Sequence, residues 1–317
     1  MENDFIRYSS DEYNRIIPVE GTALSYIVYS VKESPARMHE RGTLEIIFCL
    51  KGSVKFSYSY EEFTIREGEY VSVDVDAYYL HEGRDNICVS LFMDLEQYED
   101  RYPDISRALF ICEGIAGHIE PYQITAHNKL KGTMIAVLKN IADGETDSRT
   151  RARADSITDI FISSFEIAFF DRGACDISDI DLRRLRKVNR YIKDHMKEKV
   201  RISDIAELLS FTESYTSEYL RKMSQGYKTI LEYIRVNASE RYLLETDMTI
   251  AAISEECGFS NTKYYYKAFR KWYKCTPKEF RGEYRRHRTK DITYLPIEAA
   301  GGLINNMLVE HYMNIFD

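Results

Sequence analysis

The sequence predicts an α+β, multidomain chain, with a β-rich first part, a helical middle and an all-α domain near the end. Three observations carry this. A length of 317 residues suits two domains of ordinary size. Short, evenly spaced strand-like runs fill residues 24–93, while helical spacing runs from about residue 183 onward. The charge divides with the texture. Residues 1–182 hold 18 Lys+Arg against 33 Asp+Glu, residues 183–290 hold 25 against 14, and residues 291–317 hold none against 4. The overall charge of −8 hides a basic segment the size of one domain, which suits a phosphate-bearing partner.

In the first part, Leu24–Val31, Leu44–Leu50, Val54–Tyr60, Tyr70–Val75 and Ile87–Met93 are rich in Ile, Val, Tyr and Phe. Turn residues such as Gly52 and Gly68 separate them. Such spacing suggests a barrel or sandwich. Beyond about residue 124, Leu130, Met134, Leu138 and Ile141 recur at helical spacing, as do Ile157, Ile160, Phe161, Ser164 and Ala168. Asp143 to Asp147 separates these helices, and the polar stretch Gly173 to Asp181 is read as a linker. With 44% apolar and 30% charged residues the chain can bury real cores, which excludes a disordered or fibrous class. No apolar run nears the ~18 residues of a membrane span, and the acidic start lacks a signal-peptide profile. The cysteines at 49, 88, 112, 175, 257 and 275 form no C-x-x-C pair, so reduced thiols in a cytoplasmic protein are expected rather than zinc or disulfides.

The basic segment contains an internal repeat. Ile205-Ala-Glu-Leu-Leu-Ser-Phe211-Thr212 aligns with Ile253-Ser-Glu-Glu-Cys-Gly-Phe259-Ser260 at an offset of 48 residues. Each copy is expected to start at a cap, Ser203 or Thr249, and to break at a small residue, Ser210 or Gly258. A second helix then starts from Thr212 or Ser260. Helix, short turn, capped helix is the helix-turn-helix plan, and a helical stretch from about Lys228 to Glu245 joins the copies. Two recognition helices so held can enter successive major grooves, ~34 Å apart. In the first copy Ser214, Ser217, Glu218 and Arg221 share one face, with Lys222 beside them, while Thr216, Leu220 and Met223 pack inward. In the second, Lys263, Tyr266, Lys267 and Arg270 face out after Thr262, while Tyr265, Ala268, Phe269 and Trp272 face in. Small polar and basic side chains on such a face reach base edges and phosphates. Further on, Thr276, Pro277 and Glu279 spell a capping box with proline at the first helical position.

Residues 188–286 resemble the DNA-binding domain of AraC/XylS-type transcription regulators. The resemblance rests on Ile202-Ser-Asp-Ile-Ala206, Thr249-Ile250, Glu255 to Ser260, Tyr264, Phe269 and Thr276-Pro-Lys-Glu-Phe-Arg281. Departures are Ser254 where the family usually has Ala, Leu220 for Phe, Lys274 for Gly, and Glu218 at a position often basic. The resemblance implies a cupin-like effector-sensing barrel at 1–123, a helical dimerisation region at 124–175, a double helix-turn-helix domain at 183–290 and an acidic tail at 291–317. It also implies double-stranded DNA, RNA polymerase, a second copy of the chain and a small-molecule effector such as a sugar as partners, with no membrane and no cofactor. The implied function is a ligand-responsive activator of carbohydrate-related genes, without enzymatic activity.

Arg37, His39, Glu45, Gly52, Gly68 and His81 follow the order of cupin barrels, with Arg41 where metal cupins place a second histidine. Tyr26, Arg37, His39, Glu45 and His81 are therefore candidate effector ligands, with Tyr58 and Tyr78 as further stacking partners. His39, Glu45 and His81 would alternatively hold a metal ion, and the rival reading is a cupin-type metal-dependent enzyme with a helical appendage. Leu303, Met307 or Leu308, and Tyr312 suggest one amphipathic helix in the tail.

Overall fold

The computed structural model describes residues 15–39, 42–58, 61–74, 77–145, 147–166, 178–224, 226–287 and 289–313. Arg41 and Ala168 lie outside them, as does the linker from Gly173 to residue 177. The chain divides into two compact units. One holds residues 15–97, 110–166 and 289–313, and the other holds 98–109 and 178–287.

Among the described residues the first unit is built on an eight-stranded antiparallel sheet. Its strands are β1 (Ile17–Pro18), β2 (Leu24–Glu33), β3 (Thr43–Tyr58), β4 (Glu61–Arg66), β5 (Tyr70–Val73), β6 (Tyr78–Asp94), β7 (Glu113–Gly114) and β8 (Asp291–Leu295). The path runs β1-β2-β6-β3-β5-β7, with β4 added to β3 and β8 added to β2. Gly52 does not end a strand as the sequence suggested. The two runs around it form one long strand, and Gly52 sits at an irregularity in the β3–β6 register with φ of 69°. A Cβ there would stand 2.3 Å from the Asp85 carbonyl oxygen, so this crossing admits only glycine. Gly68, by contrast, does mark the turn before β5, with φ of 78°. Inward-facing residues alternate along the strands. Ile27, Tyr29 and Val31 of β2 meet Ile47, Cys49, Val54 and Phe56 of β3 and Cys88 and Phe92 of β6 in one buried cluster.

Helices α1 (Ile124–Ala142) and α2 (Ser148–Ser164) pack on each other. Asp147 starts α2 by accepting hydrogen bonds from the backbone N–H groups of Arg149 and Thr150. The apolar faces read in the sequence are consumed inside the chain: Leu130, Met134, Leu138, Ile157 and Phe161 are buried.

The acidic tail belongs to this same unit. Strand β8 pairs with β2 from Val28 to Glu33, and its Ile292 and Tyr294 pack against the sheet's core cluster. The Arg15 guanidinium lies over the Tyr294 ring at 4.8 Å. Beyond β8, Ile297, Ala300, Ile304 and Met307 form the buried stripe of a short 3-10 turn and of α10 (Gly301–Met313), which packs on α1. That stripe differs from the expected one, because Leu303 is only half-buried. The imidazole of His311 closes on Gly132 of α1, where a side chain would collide.

The second unit is helical: α3 (Asp179–Asp194), α4 (Ile202–Leu209), α5 (Glu213–Ser224), α6 (Tyr227–Glu245), α7 (Ile250–Glu256), α8 (Thr262–Tyr273) and α9 (Pro277–Tyr284). Residues 98–109, which the sequence reading assigned to the first domain, pack here instead. Glu99 accepts hydrogen bonds from the backbone N–H groups of Asp104 and Ser106, and the Asp104 carboxylate takes one from Arg190 of α3 at 2.5 Å.

Candidate nucleic-acid interface

Helix α6 is the spine of the helical unit. Its 19 residues span about 28 Å at 1.5 Å per residue. Ile230 and Ile234 near its start join Leu185, Val188, Ile192, Ile205 and Leu220 in the core of the first helix-turn-helix. Its second half serves the other copy: Tyr265 donates to Ser239 Oγ at 2.9 Å, Tyr273 to Glu240 Oε2 at 3.2 Å, and Arg281 to the Leu243 carbonyl at 2.9 Å.

Caps fix where each helix begins. Thr249 accepts from Ala252 N–H as expected, but Ser203 does not cap α4. It is the second helical residue, Arg201 occupies the cap position, and Asp204 reaches back to the Arg201 N–H at 2.8 Å. In the first copy α4 ends at Ser210, left-handed at φ of 56°, and Thr212 Oγ1 accepts from the backbone N–H of Tyr215 at 3.2 Å. In the second, Gly258 has φ of 76° and the cap is Asn261 rather than Ser260. Its side-chain oxygen accepts from the Tyr264 N–H at 3.0 Å. The second turn is thus one residue longer, and the offset of 48 becomes 49 in the recognition helices. The capping box at Thr276 and Glu279 is present in both directions.

On α5, Ser214, Ser217, Glu218, Arg221 and Lys222 are exposed, while Thr216 and Leu220 are fully buried and Met223 is half-buried. On α8, Lys263, Lys267 and Arg270 are exposed, whereas Thr262 and Tyr266 are half-buried. Tyr265, Ala268 and Phe269 form the buried stripe, and Trp272 is only half-buried, donating its indole N–H to Glu232 at 3.1 Å. Among the described residues no carboxylate neutralises Arg221, Lys263, Lys267 or Arg270 in an ion pair, so these cations stay available to an anionic partner. The sequence reading missed a groove of about 570 Å³ beside α5. Ser214, Ser217, Glu218 and Arg221 line one wall, and Gly226, Tyr227 and Lys228 at the start of α6 line the other. Its signal was present in Gly226 and Lys228, a helix start beside a cation.

The proposed effector ligands divide in the structure. Arg37 and Tyr78 face each other through paired backbone hydrogen bonds of 2.8 and 2.9 Å. Glu45, wholly buried, lies 2.6 Å from His39 Nε2 and accepts from the Tyr78 hydroxyl at 2.6 Å. Burial pushes the Glu45 carboxyl up, but the His39 contact and hydrogen bonds from Ser90 and Tyr78 outweigh it and hold it below its ordinary value. Tyr29 meets Ser90 at 3.0 Å and extends the cluster. His81 is elsewhere. Tyr78 and Leu80 of β6 belong to the core cluster, so His81, one residue on, points to the opposite face of the strand, where it contacts Ser57 at 3.1 Å and Glu62 at 3.2 Å. The trio His39, Glu45 and His81 therefore does not assemble, and among the described residues no three His, Cys, Asp or Glu side chains converge on a metal position. Tyr26 alternates with Ile27 and Tyr29, so it points to the opposite face of β2, where the Glu298 charge acts on it. Tyr58 is half-buried and donates to Glu113 at 2.8 Å.

Residues 205–283 match the family described as a helix-turn-helix domain, of the AraC type. The regulatory protein PocR of Salmonella typhimurium is 30% identical over 99 residues, 31% of this chain and 33% of that protein. The xylose operon regulatory protein of Haemophilus influenzae is 22% identical over 116 residues, 36% of this chain and 30% of that protein. This chain spans about a third of the length of these relatives. Among solved structures, ToxT from Vibrio cholerae O395 is 14% identical, with 82% of this chain and 97% of that one covered at a TM-score of 0.42. Residues 205–283 of the helical unit are an AraC-type helix-turn-helix domain, and both relatives are named as regulatory proteins.

Proposed function

We propose that this chain is a sequence-specific, DNA-binding transcription regulator. The carrying observation is the matched pair of capped recognition helices on one spine, each with an exposed outward face of polar or basic side chains. The sheet-based unit is read as a cupin-like sensor for a small polar effector. The support is the buried cluster of Arg37, His39, Glu45 and Tyr78, since polar groups inside an apolar core suit the orienting contacts of a small ligand. A xylose operon regulatory protein among the relatives favours a carbohydrate-related theme. An activator that meets RNA polymerase completes the reading. A homodimer is part of this reading. With the apolar faces of α1 and α2 buried, its surface draws on exposed residues such as Ile124. The protein is read as non-enzymatic and cytoplasmic. Among the described residues no helix is long and apolar enough to cross a membrane.

Selection from random duplex DNA with the full chain tests the reading. The expected result is a recovered site with affinity falling steeply as salt rises, by about 0.9 log units per log unit of salt for each phosphate neutralised. Binding that is flat between low and moderate salt, or no recovered sequence, overturns it.

A further inference from the structure

Among the described residues few large apolar side chains are strongly exposed, and two of them are the same residue in the same place. Tyr215 is 53% exposed and Tyr264 is 59% exposed. Each is the third residue of its recognition helix, and each backbone N–H is held by the side chain of the N-cap residue. Seven residues on, each helix carries an exposed lysine, Lys222 on α5 and Lys271 on α8. At ~100° per residue, positions seven apart lie within about 20° of each other, so tyrosine and lysine share one flank of each helix. That flank is about 100° round from Ser214 and Lys263, between the outward face and the buried stripe. A helix lying in the major groove turns its outward face to the bases and its flanks to the phosphate walls.

Both residue types donate hydrogen bonds to anions, the tyrosine through a neutral hydroxyl and the lysine through an ammonium. A core role does not explain an aromatic ring more than half exposed in both copies. Packing does orient the first one: Phe211 lies 4.7 Å from Tyr215, edge to face, and Tyr219 stacks behind it at 6.4 Å. The two flanks differ in one respect. Lys271 Nζ rests 2.6 Å from Glu232 Oε1, an exposed pair, while among the described residues Lys222 has no ion pair.

We infer that Tyr215 with Lys222, and Tyr264 with Lys271, form a repeated grip on the DNA backbone, in which each tyrosine hydroxyl donates to a phosphate oxygen. The inference rests on the DNA-binding reading above and adds residues and a role to it. The grip is neutral at the tyrosine and cationic at the lysine, which gives the two members different signatures.

The test uses the full chain and the site recovered by selection, with affinity read by fluorescence anisotropy across a salt series. Tyr215→Phe and Tyr264→Phe keep the ring and remove only the hydroxyl. Each is expected to weaken binding about tenfold, the usual worth of a hydrogen bond to a charged group. The double variant should lose about a hundredfold. Sequence preference and salt slope should not move, because a neutral hydroxyl releases no counterion. Lys222→Ala should lower the slope by about one unit, again without altering preference. Phenylalanine variants that bind like the wild type overturn the grip, as does a changed preference, which would make the tyrosines base readers. A wild-type chain that recovers no DNA sinks the regulator reading and the grip together. A wild-type chain that selects a site while the phenylalanine variants match it sinks the grip alone.

Discussion

The two helix-turn-helix copies share a plan and differ in chemistry. At equivalent outward positions the first has Ser214, Ser217 and Glu218 where the second has Lys263, Tyr266 and Lys267, and only the arginines, Arg221 and Arg270, agree. The second copy presents three cations on that face and the first presents one cation and one carboxylate. Electrostatic affinity should therefore come mainly from the second copy. A carboxylate in the groove repels phosphate and accepts from cytosine N4, so the first copy adds discrimination at some expense in affinity. The turns differ too, with a serine in the left-handed position of the first and a glycine in the second.

The turn contrast gives the largest expected effect. A Cβ at Gly258 would stand 2.1 Å from the Met196 carbonyl oxygen, and φ is 76°. Backbone cannot move aside as a side-chain tip can. Gly258→Ala should destabilise the helical unit by roughly 2–4 kcal/mol, the sum of left-handed strain and overpacking. Urea unfolding of the wild type and the variant checks this, and an unchanged midpoint would show that the turn relaxes. The same substitution class runs the other way in the first copy. Ser210→Gly, at an exposed residue with φ of 56°, should gain about 1 kcal/mol by removing left-handed strain.

The face contrast comes next. Lys267→Ala should cost roughly 1–3 kcal/mol of binding at a G-containing step and relax preference there, since lysine donates to guanine O6 and N7. Arg270→Ala should weaken all sequences about equally and lower the salt slope by about one unit. Glu218→Ala should do the opposite in affinity: binding tightens or holds, and preference at a C-containing step is lost. If the glutamate and lysine variants shift affinity in the same direction, the assignment of anchor to the second copy and discriminator to the first fails.

The helical unit was largely legible because its signals are local. A cap, a periodic apolar stripe and a small residue at the break lie within ten residues of one another, so the repeat, the spine and the capping box at Thr276 could be read directly. What escaped were one-residue details: Asn261 rather than Ser260 as cap, and Ser203 inside its helix. In the sheet unit the deciding partners are distant. Asp291 to Leu295 becomes a strand only because the free edge of β2, more than 250 residues earlier, pairs with it. Glu61 to Arg66 was missed as a strand because Phe63 and Ile65 supply only a brief alternation, and β3 carries it. The division of the effector residues follows from strand alternation. Tyr78 and Leu80 face the core cluster and His81 faces away from it, and no local pattern shows which face of β6 turns inward or that Gly52 lets β3 continue.

The smallest expected effect lies at the one inner position where the copies differ by a single oxygen. Ala206 in α4 and Ser254 in α7 are equivalent at the 48-residue offset, and both are buried. The Ser254 hydroxyl is enclosed, and among the described residues it finds no hydrogen-bond partner. An enclosed, unpaired hydroxyl has lost its water without replacement, which costs free energy that a methyl group does not. Ser254→Ala removes the hydroxyl and leaves a side chain that the first copy already accommodates in the same setting. The variant should be more stable by up to about 1 kcal/mol, with an unchanged urea slope and unchanged DNA affinity. A loss of stability would mean that the hydroxyl is paired in solution, by a water or a shifted carbonyl, and that the two inner faces are less alike than the two caps and turns make them.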